Sequence, residues 1–249
     1  MATVVGINHV GISVTDLTVA RAFWAAVGFV EVSGFAWGAG TSPADDALGL
    51  LDSAAEVVVL AGATSYLELF AFAAPAPALR DESSPGIAGI TVAVADLATV
   101  VAALRRLGCD VRTSDVTAGT ACPDGTPIEL VTGDPTGLRR VVVRVPDPAV
   151  HPLPALPGRV VTLDVEVGGG GARARPCDLG ANHLCLDVVG VDEVRADLAP
   201  GVRWHHEVTA SSGGIASVCY GTTVDGVLVE LLESHSPDAT LSRARLSDG

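Results

Sequence analysis

Gly-Ile-Asn-His-Val-Gly-Ile-Ser-Val-Thr-Asp-Leu, residues 6–17, is typical of a β-strand that ends where a helix begins. Because side chains alternate along a strand, His9, Gly11 and Ser13 share one face, and the apolar residues between them share the other. The apolar face suits a hydrophobic core. The opposite face carries one imidazole among very small groups, which is the composition expected on the floor of a cavity with a single reactive side chain.

The same pattern recurs twice further along the chain. Residues 86–97 align without gaps on residues 6–17, and a third copy begins at Gly180. The first copy reads as a β-α-β-β-β unit in which residues 33–50 are predicted to be loop. One such unit leaves a face of its curved sheet uncovered, so two units side by side form a cleft. We therefore predict an α+β fold in which repeated βαβββ modules form curved mixed sheets around a cleft.

The boundaries of the repeats predict four segments. Residues 1–135 hold two βαβββ modules, and residues 181–235 hold a further one. Residues 136–180 form a Pro- and Gly-rich connector with two strands, which is either a plain connector or a degenerate module. Residues 236–249 are polar and are predicted to form a flexible tail.

Composition and charge exclude several classes of function. The chain has 249 residues, of which 49% are hydrophobic, so a substantial core is available. Its formal net charge of −14 disfavours nucleic acid and anionic membrane surfaces, because phosphate binding needs a basic patch. No apolar run is long enough to span a membrane and no signal peptide is visible, so we expect a cytoplasmic protein. The five cysteines form no CxxC pair and are expected to be buried, reduced thiols.

Two imidazoles and two carboxylates recur at matched positions of the repeat. His9 and His183 take the same place in copies one and three, and each follows an asparagine. Glu68 and Glu230 lie at the centres of the strands that close these copies. A carboxylate in an otherwise apolar strand is costly to bury unless it is paired or bound to a metal. Together the four side chains are the donor set that a divalent metal site needs.

Copy two differs from the other copies at one of these positions. It has Gly89 at the histidine position, while Glu129 keeps the carboxylate position. If copies one and two form the cleft, its ligands are His9, Glu68 and Glu129. If copies one and three form it, all four ligands are present. The number of ligands favours the second pairing, and adjacency in the sequence favours the first.

Several motifs of the three copies occur together in one known superfamily. They are Asn-His-Val-Gly-Ile-Ser-Val-Thr-Asp-Leu, Phe23-Trp24 before Gly28-Phe29, Tyr-Leu-Glu-Leu, Pro-Asp-Gly-Thr-Pro-Ile-Glu-Leu and Val-Asp-Gly-Val-Leu-Val-Glu-Leu-Leu-Glu. In this combination they resemble the vicinal oxygen chelate superfamily, which includes glyoxalase I, methylmalonyl-CoA epimerase, extradiol dioxygenases and bleomycin-binding proteins. The resemblance covers most of residues 4–135 and 178–235.

The resemblance implies a metal site and its ligands. The ligand positions of the superfamily fall on His9, Glu68, His183 and Glu230, a set similar to that of glyoxalase I. Gly89 departs from the superfamily pattern, and so do three recognisable modules in place of two or four. In this superfamily the metal typically holds two neighbouring oxygens of the substrate and stabilises an enolate as it forms. The implied cofactor is a divalent ion, and Fe, Mn, Ni, Co and Zn are equally compatible with it.

The function that we favour from the sequence is metal-dependent proton abstraction next to a metal-bound carbonyl of a small molecule, as in an isomerase, lyase or epimerase. Glu68 or Glu230 serves as the base if its bond to the metal loosens, and Glu129 is the candidate outside the ligand set. The expected partner is therefore a small-molecule substrate. A homodimer is one of the assemblies that we expect.

Two other functions stay open at this stage. An extradiol-type dioxygenase would bind Fe(II) through His9, His183 and Glu230, and would place another His and a Tyr near the oxygen. A metal-free protein that sequesters an antibiotic-like molecule would bind tightly without turnover. The side chains that we predict to contact substrate are Ser13, Tyr66, Phe70, Asp187, His205 and Tyr220.

Overall fold

The computed structural model describes residues 2–154, 156, 160–211 and 215–246, with the side chain of Ser42 left out. Module one contains β1 (Thr3–Ser13), α1 (Leu17–Val27), β2 (Val30–Trp37), α2 (Ser42–Leu48), β3 (Ala54–Ala61) and β4 (Tyr66–Ala74). Module two contains β5 (Gly86–Val94), α3 (Leu97–Arg106), β6 (Arg112–Thr113), β7 (Thr117–Ala121) and β8 (Pro127–Thr132).

The connector and module three complete the chain. The connector contains β9 (Gly137–Val145), a 3-10 turn (Pro148–Val150) and β10 (Thr162–Val167). Module three contains β11 (Gly180–Val189), α4 (Val191–Leu198), β12 (Val202–Trp204), β13 (Thr209–Ala210), β14 (Ala216–Thr223) and β15 (Leu228–Ser234), and a 3-10 turn (Arg243–Arg245) follows. In the described part of the chain no helix is long and apolar enough to cross a membrane.

Helix α1 shows how local sequence starts and stops these elements. The Asp16 carboxylate accepts hydrogen bonds from the first free backbone N–H groups of the helix, and Gly28 ends the helix in the left-handed region with a φ of 110°. The helix buries the apolar face that its spacing predicts, including Phe23 and Trp24. That face, the corresponding face of α3 and the apolar sides of both sheets share one continuous core.

The modules pair in a way that brings copies one and three together. Antiparallel strands β1 and β11 join modules one and three in a nine-stranded first sheet, ordered β12-β14-β15-β11-β1-β4-β3-β2, with β13 paired to β14. The second sheet has six strands, ordered β10-β9-β5-β8-β7-β6. In it, β9 and β10 take the places that β11 and β15 take in the first sheet. The pairing that the number of ligands favoured is therefore the observed one.

Residues 33–50, predicted to be loop, contain the end of β2 and all of α2. Strand β2 is the edge of the first sheet and most of its side chains are exposed, so it lacks the alternation by which a half-buried strand is recognised. Helix α2 is only seven residues long, and its apolar positions are too few to show a helical period.

The described residues of the predicted flexible tail, 236–246, pack against module one. The Tyr66 hydroxyl donates a hydrogen bond of 2.8 Å to the backbone oxygen of Ser242, and the Asn8 amide donates one of 2.8 Å to that of Leu241. These partners are more than 170 residues away in the sequence, so a local reading of the polar tail could not reveal them.

Candidate metal centre

His9 and His183 meet where β1 pairs with β11. Gly11 lies opposite His183 and His9 lies opposite Cys185 in the antiparallel register. The register shifts by one residue at Asn8 and again at Asn182, so each histidine follows a local irregularity of its strand. The two Nε2 atoms lie 3.0 Å apart, and the rings meet edge to face.

Gly11 makes room for this arrangement. A Cβ atom at that position would lie 2.1 Å from Nδ1 of His183 and 2.4 Å from Oδ1 of Asn182. Any larger residue at position 11 would therefore collide with the imidazole. This collision explains why the strand face carries a glycine beside the histidine.

The two carboxylates come from the parallel neighbours of β1 and β11. Glu68 on β4 lies beside Gly11, and Glu230 on β15 lies beside Cys185. Nε2 of His9 is 3.4 Å from Glu68 Oε2 and 3.0 Å from Glu230 Oε2. Nε2 of His183 is 3.9 Å from the first of these oxygens and 3.5 Å from the second. The structure thus brings together all four predicted ligands, none of them more than 5% exposed.

Each histidine is oriented by the asparagine that precedes it. Nδ1 of His9 lies 3.0 Å from Oδ1 of Asn8, and Nδ1 of His183 lies 2.6 Å from Oδ1 of Asn182. Both asparagine amide groups donate elsewhere, so each Oδ1 faces the ring as an acceptor and Nδ1 carries the proton. Each Nε2 consequently presents a lone pair to the carboxylates, which is the tautomer that a metal ligand needs.

Asp187 and Ser13, which were predicted to contact substrate, instead form hydrogen bonds with these asparagines. Asp187 accepts a hydrogen bond of 2.7 Å from the Asn8 amide, and Ser13 Oγ accepts one of 2.8 Å from the Asn182 amide. Ser13 in turn donates to the backbone oxygen of Pro176 at 2.8 Å. Neither Asp187 nor Ser13 belongs to the cavity lining, and both support the imidazole orientation through these asparagines.

The charges of the cluster show what it can hold. Burial alone would lower the pKa of His9, but the carboxylates of Glu68 and Glu230 outweigh it and raise that pKa. Burial raises the pKa of Glu68, whereas the two imidazoles hold the pKa of Glu230 well below its ordinary value despite its burial. Oε2 of Glu230 accepts no hydrogen bond from any described residue. Lone pairs from two imidazoles and two carboxylates thus converge in one buried space, and a divalent cation would satisfy them together.

A cleft opens above the cluster between modules one and three. Its cavity volume is about 590 Å³, and Glu68 and Glu230 lie on its floor. Phe70 and Tyr220, both predicted to contact substrate, line the cleft, with ring centroids 5.7 and 5.8 Å from that of His183. Helix α2, strand β2 and residues 239–241 add walls that the sequence analysis missed.

Tyr66 and His205, also predicted to contact substrate, lie outside the cleft lining. The Tyr66 hydroxyl is used by the C-terminal segment, as described above. His205 lies 2.9 Å from the backbone oxygen of Ala47 through Nδ1 and 2.7 Å from Thr222 Oγ1 through Nε2. Its two ring nitrogens hold α2 against β14.

Cys185 is a neighbour of the cluster that the sequence analysis treated only as a core thiol. Its Sγ belongs to a group with ligand atoms of His9 and Glu230, all within 4.8 Å of one another. Burial raises the pKa of this thiol well above its ordinary value, so it remains protonated. Its signal in the sequence is its position two residues after His183.

Glu129, predicted as a base outside the ligand set, belongs to the second sheet and does not join the cluster. Thr91 pairs with Glu129 and Arg140 in the way that Gly11 pairs with Glu68 and His183. Glu129 therefore lines a second cleft, on the second sheet, with a volume of about 580 Å³. The structure removes it from the candidate site, because module two faces the connector.

An arginine occupies the matched position in this second cleft. The guanidinium of Arg140 lies 3.7 Å from Glu129 and 3.5 Å from Asp164. Asp164 pairs with Val142 as Glu230 pairs with Cys185, so the two carboxylate positions are kept. Gly89 and Arg140 stand where the first sheet has its histidines, and the guanidinium supplies a positive charge between the carboxylates.

No model of a known protein family and no curated protein matches the sequence. Solved structures do match it. Glyoxalase I from Zea mays has a TM-score of 0.69 at 13% identity, over 93% of this chain and 93% of that chain. A "putative dioxygenase" from Bacillus subtilis subsp. subtilis str. 168 has a TM-score of 0.67 at 12% identity, over 99% of this chain and 91% of that chain. The cppA protein from Streptococcus pneumoniae TIGR4 has a TM-score of 0.56 at 11% identity, over 93% and 100%.

At these identities the likeness is one of fold. The two open mixed sheets and the repeated modules agree with this likeness of fold. The chain therefore shares the fold of these solved structures, in agreement with the α+β fold of repeated modules that its sequence predicted.

Proposed function

We propose that the chain is a metal-dependent enzyme of the isomerase or lyase type, which moves a proton at a carbon next to a carbonyl. One observation carries the proposal: two imidazoles and two carboxylates converge on the buried floor of a cleft, with both imidazole lone pairs aimed at one space. His9, His183 and Glu230 would hold the ion, with Glu68 as the fourth ligand. A bound divalent ion supplies Lewis acidity to a substrate carbonyl oxygen.

Asn8, Asn182 and Tyr220 have supporting roles in the proposed reaction. Asn8 and Asn182 keep a proton on each Nδ1 and so keep each Nε2 available. Tyr220 lines the cleft beside Glu230, and burial raises the pKa of its phenol, which therefore stays protonated near neutral pH. Its O–H is a donor for negative charge that develops on the substrate oxygen.

We assign the proton transfer to Glu68. Its Oε2 lies 3.4 and 3.9 Å from the two Nε2 atoms, compared with 3.0 and 3.5 Å for Glu230. Glu68 is thus the less closely held carboxylate, and it lines the cleft. It can take a proton from a substrate carbon and return it to that carbon or to its neighbour.

Elemental analysis and proton exchange test the proposal together. We expect about one divalent ion per purified chain, and we expect the chain to exchange the α-proton of benzoin, a hydroxyketone, with deuterated solvent. His9→Ala and His183→Ala should lose both the ion and the exchange, while Glu68→Gln should keep most of the ion and lose exchange at least about 100-fold. Purified protein without an ion, together with full exchange by both alanine variants, would contradict the proposal.

An extradiol-type dioxygenase is the second candidate. The shorter distances join His9, His183 and Glu230, which is the set of two histidines and one carboxylate that binds Fe(II) in oxygenases. Glu68 argues against this candidate, because a second carboxylate as fourth ligand takes a coordination position that dioxygen needs. Oxygen uptake by the Fe(II)-loaded protein with catechol, abolished in His183→Ala, would favour this candidate. We expect no uptake.

A further inference from the structure

A row of aromatic side chains in mutual contact extends from the mouth of the cleft to its floor. Phe35 is half-exposed at the edge strand and stacks on Trp37 with ring centroids 6.1 Å apart. Trp37 meets Phe70 at 6.3 Å, and Phe70 meets His183 at 5.7 Å. Val218 and Leu232 of module three line the same cavity. A flat, apolar molecule can therefore keep aromatic contact along its whole way to the four ligands.

The cleft has no positive side chain among the described residues that line it. The chain contains no lysine, and no arginine belongs to the lining. The charged residues of the lining are Glu68 and Glu230, and a divalent ion between them would cancel their charge without leaving an excess. An anionic ligand would lose its hydration here without gaining a counter-ion, which costs several kcal/mol. The net charge of −14 opposes such a ligand even at a distance.

Among the uncharged polar side chains of the lining, Ser234 has a buried hydroxyl without a partner among the described residues. It lies four residues after Glu230 on β15, which corresponds to about 13 Å along a strand. A buried hydroxyl without a partner is unfavourable unless a ligand supplies one.

We infer that the substrate is an uncharged, predominantly apolar molecule with at least one aromatic ring and a polar group that hydrogen-bonds to Ser234. This inference rests on the proposed function, since the ligands mark the reacting end of the cleft. The ring stacks on Trp37 and Phe70, and the carbonyl end lies at the floor. The cavity of about 590 Å³ suits a ligand of drug-like size.

An isosteric pair of ligands tests the charge preference. Benzoin-4-carboxamide and benzoin-4-carboxylate have nearly the same shape and differ in charge. By calorimetry on the metal-loaded protein, we expect the amide to bind at least about tenfold more tightly than the carboxylate. Ala44→Arg, which adds a cation to the lining on α2, should reverse the preference, whereas Ala98→Arg on the exposed face of α3 should leave it unchanged.

Variants of the rings and of Ser234 test the contacts. Trp37→Ala should weaken binding of the amide about tenfold, and Trp37→Phe should restore most of the affinity. Ser234→Ala should weaken it several-fold. The inference is overturned if the carboxylate binds as tightly as the amide, if neither ligand binds, or if Trp37→Ala binds normally.

The outcome is separable from that of the proposed function. Loss of the proposed function would appear as absence of the ion and of proton exchange in the wild-type chain, whatever its charge preference. Tighter binding of the carboxylate by a chain that holds its ion and exchanges the proton would overturn this inference alone.

Discussion

At Gly11 a single hydrogen atom in place of a side chain keeps the candidate centre open. The nearest atoms to a Cβ there belong to the His183 ring, at 2.1 and 2.2 Å. We expect Gly11→Ala to displace the imidazole and to weaken metal binding by about 10- to 100-fold, measured by competition with a chromophoric chelator. Gly89→Ala on the matched strand β5 is the control, because its nearest neighbour would lie at 3.5 Å. Equal affinities for both variants would argue against the steric role.

Asn182 offers a second test at the same scale. Its Oδ1 accepts the Nδ1 proton of His183, and its amide donates to Ser13. Asn182→Ala removes the acceptor, so we expect metal affinity to fall about 10- to 100-fold. Asn182→Asp keeps the acceptor, and the Ser13 hydroxyl can rotate to donate to it, so this variant should stay within about threefold of wild type. Should the alanine variant bind metal normally, the orienting role of Asn182 would be refuted.

The C-terminal segment shows how a distant element supports the centre. Arg243 donates hydrogen bonds to the backbone oxygen of Ile7 at 3.2 Å and to Asp187 at 3.0 Å, and Asp187 in turn accepts from Asn8. Burial raises the pKa of Asp187, and the guanidinium opposes that shift. Losing the guanidinium would leave a buried carboxylate poorly compensated.

We therefore expect Arg243→Gln to lower the free energy of unfolding by about 2 kcal/mol in urea denaturation. Arg245→Gln is the matched control two residues away. Arg245 makes an exposed contact of 3.5 Å with the backbone oxygen of Asp238, so its loss should change stability by less than about 0.5 kcal/mol. The anchoring role of Arg243 fails if both variants unfold at the same urea concentration.

Elements with local signals could be predicted, and elements held by distant partners could not. Strand β1 and helix α1 carry alternation, a capping Asp16 and a terminating Gly28, all within about thirty residues. The four candidate ligands could be predicted from the repeat, since matched positions of a repeat suggest shared roles. The second half of strand β2 and all of helix α2 were missed, because an exposed edge strand and a single short helix show little hydrophobic period.

Which module pairs with module one depends on the complete set of contacts between the paired strands. Pairing of β1 with β11 joins residues more than 160 positions apart, and nothing in either strand alone excludes β5 as the partner. Only the number of ligands pointed to the observed pairing. The same ladder explains why Glu129 was misassigned, since its strand has the closing motif but belongs to the other sheet.

The two sheets together predict how many ions a chain binds. Both sheets keep two carboxylates at matched positions, but the second has Gly89 and Arg140 where the first has histidines, and the guanidinium already lies between Glu129 and Asp164. We expect the wild-type chain to bind one divalent ion.

Gly89→His combined with Arg140→His restores two imidazoles to the second cleft and removes its built-in cation. We expect elemental analysis of this double variant to find two ions per chain, the second bound more weakly because its carboxylates are about half-exposed. Gly89→Ala combined with Arg140→Gln removes the cation without adding a ligand and should stay at one ion. Two ions in the wild-type chain, or one in the double-histidine variant, would show that equivalent positions in the two sheets do not have equivalent metal-binding capacity.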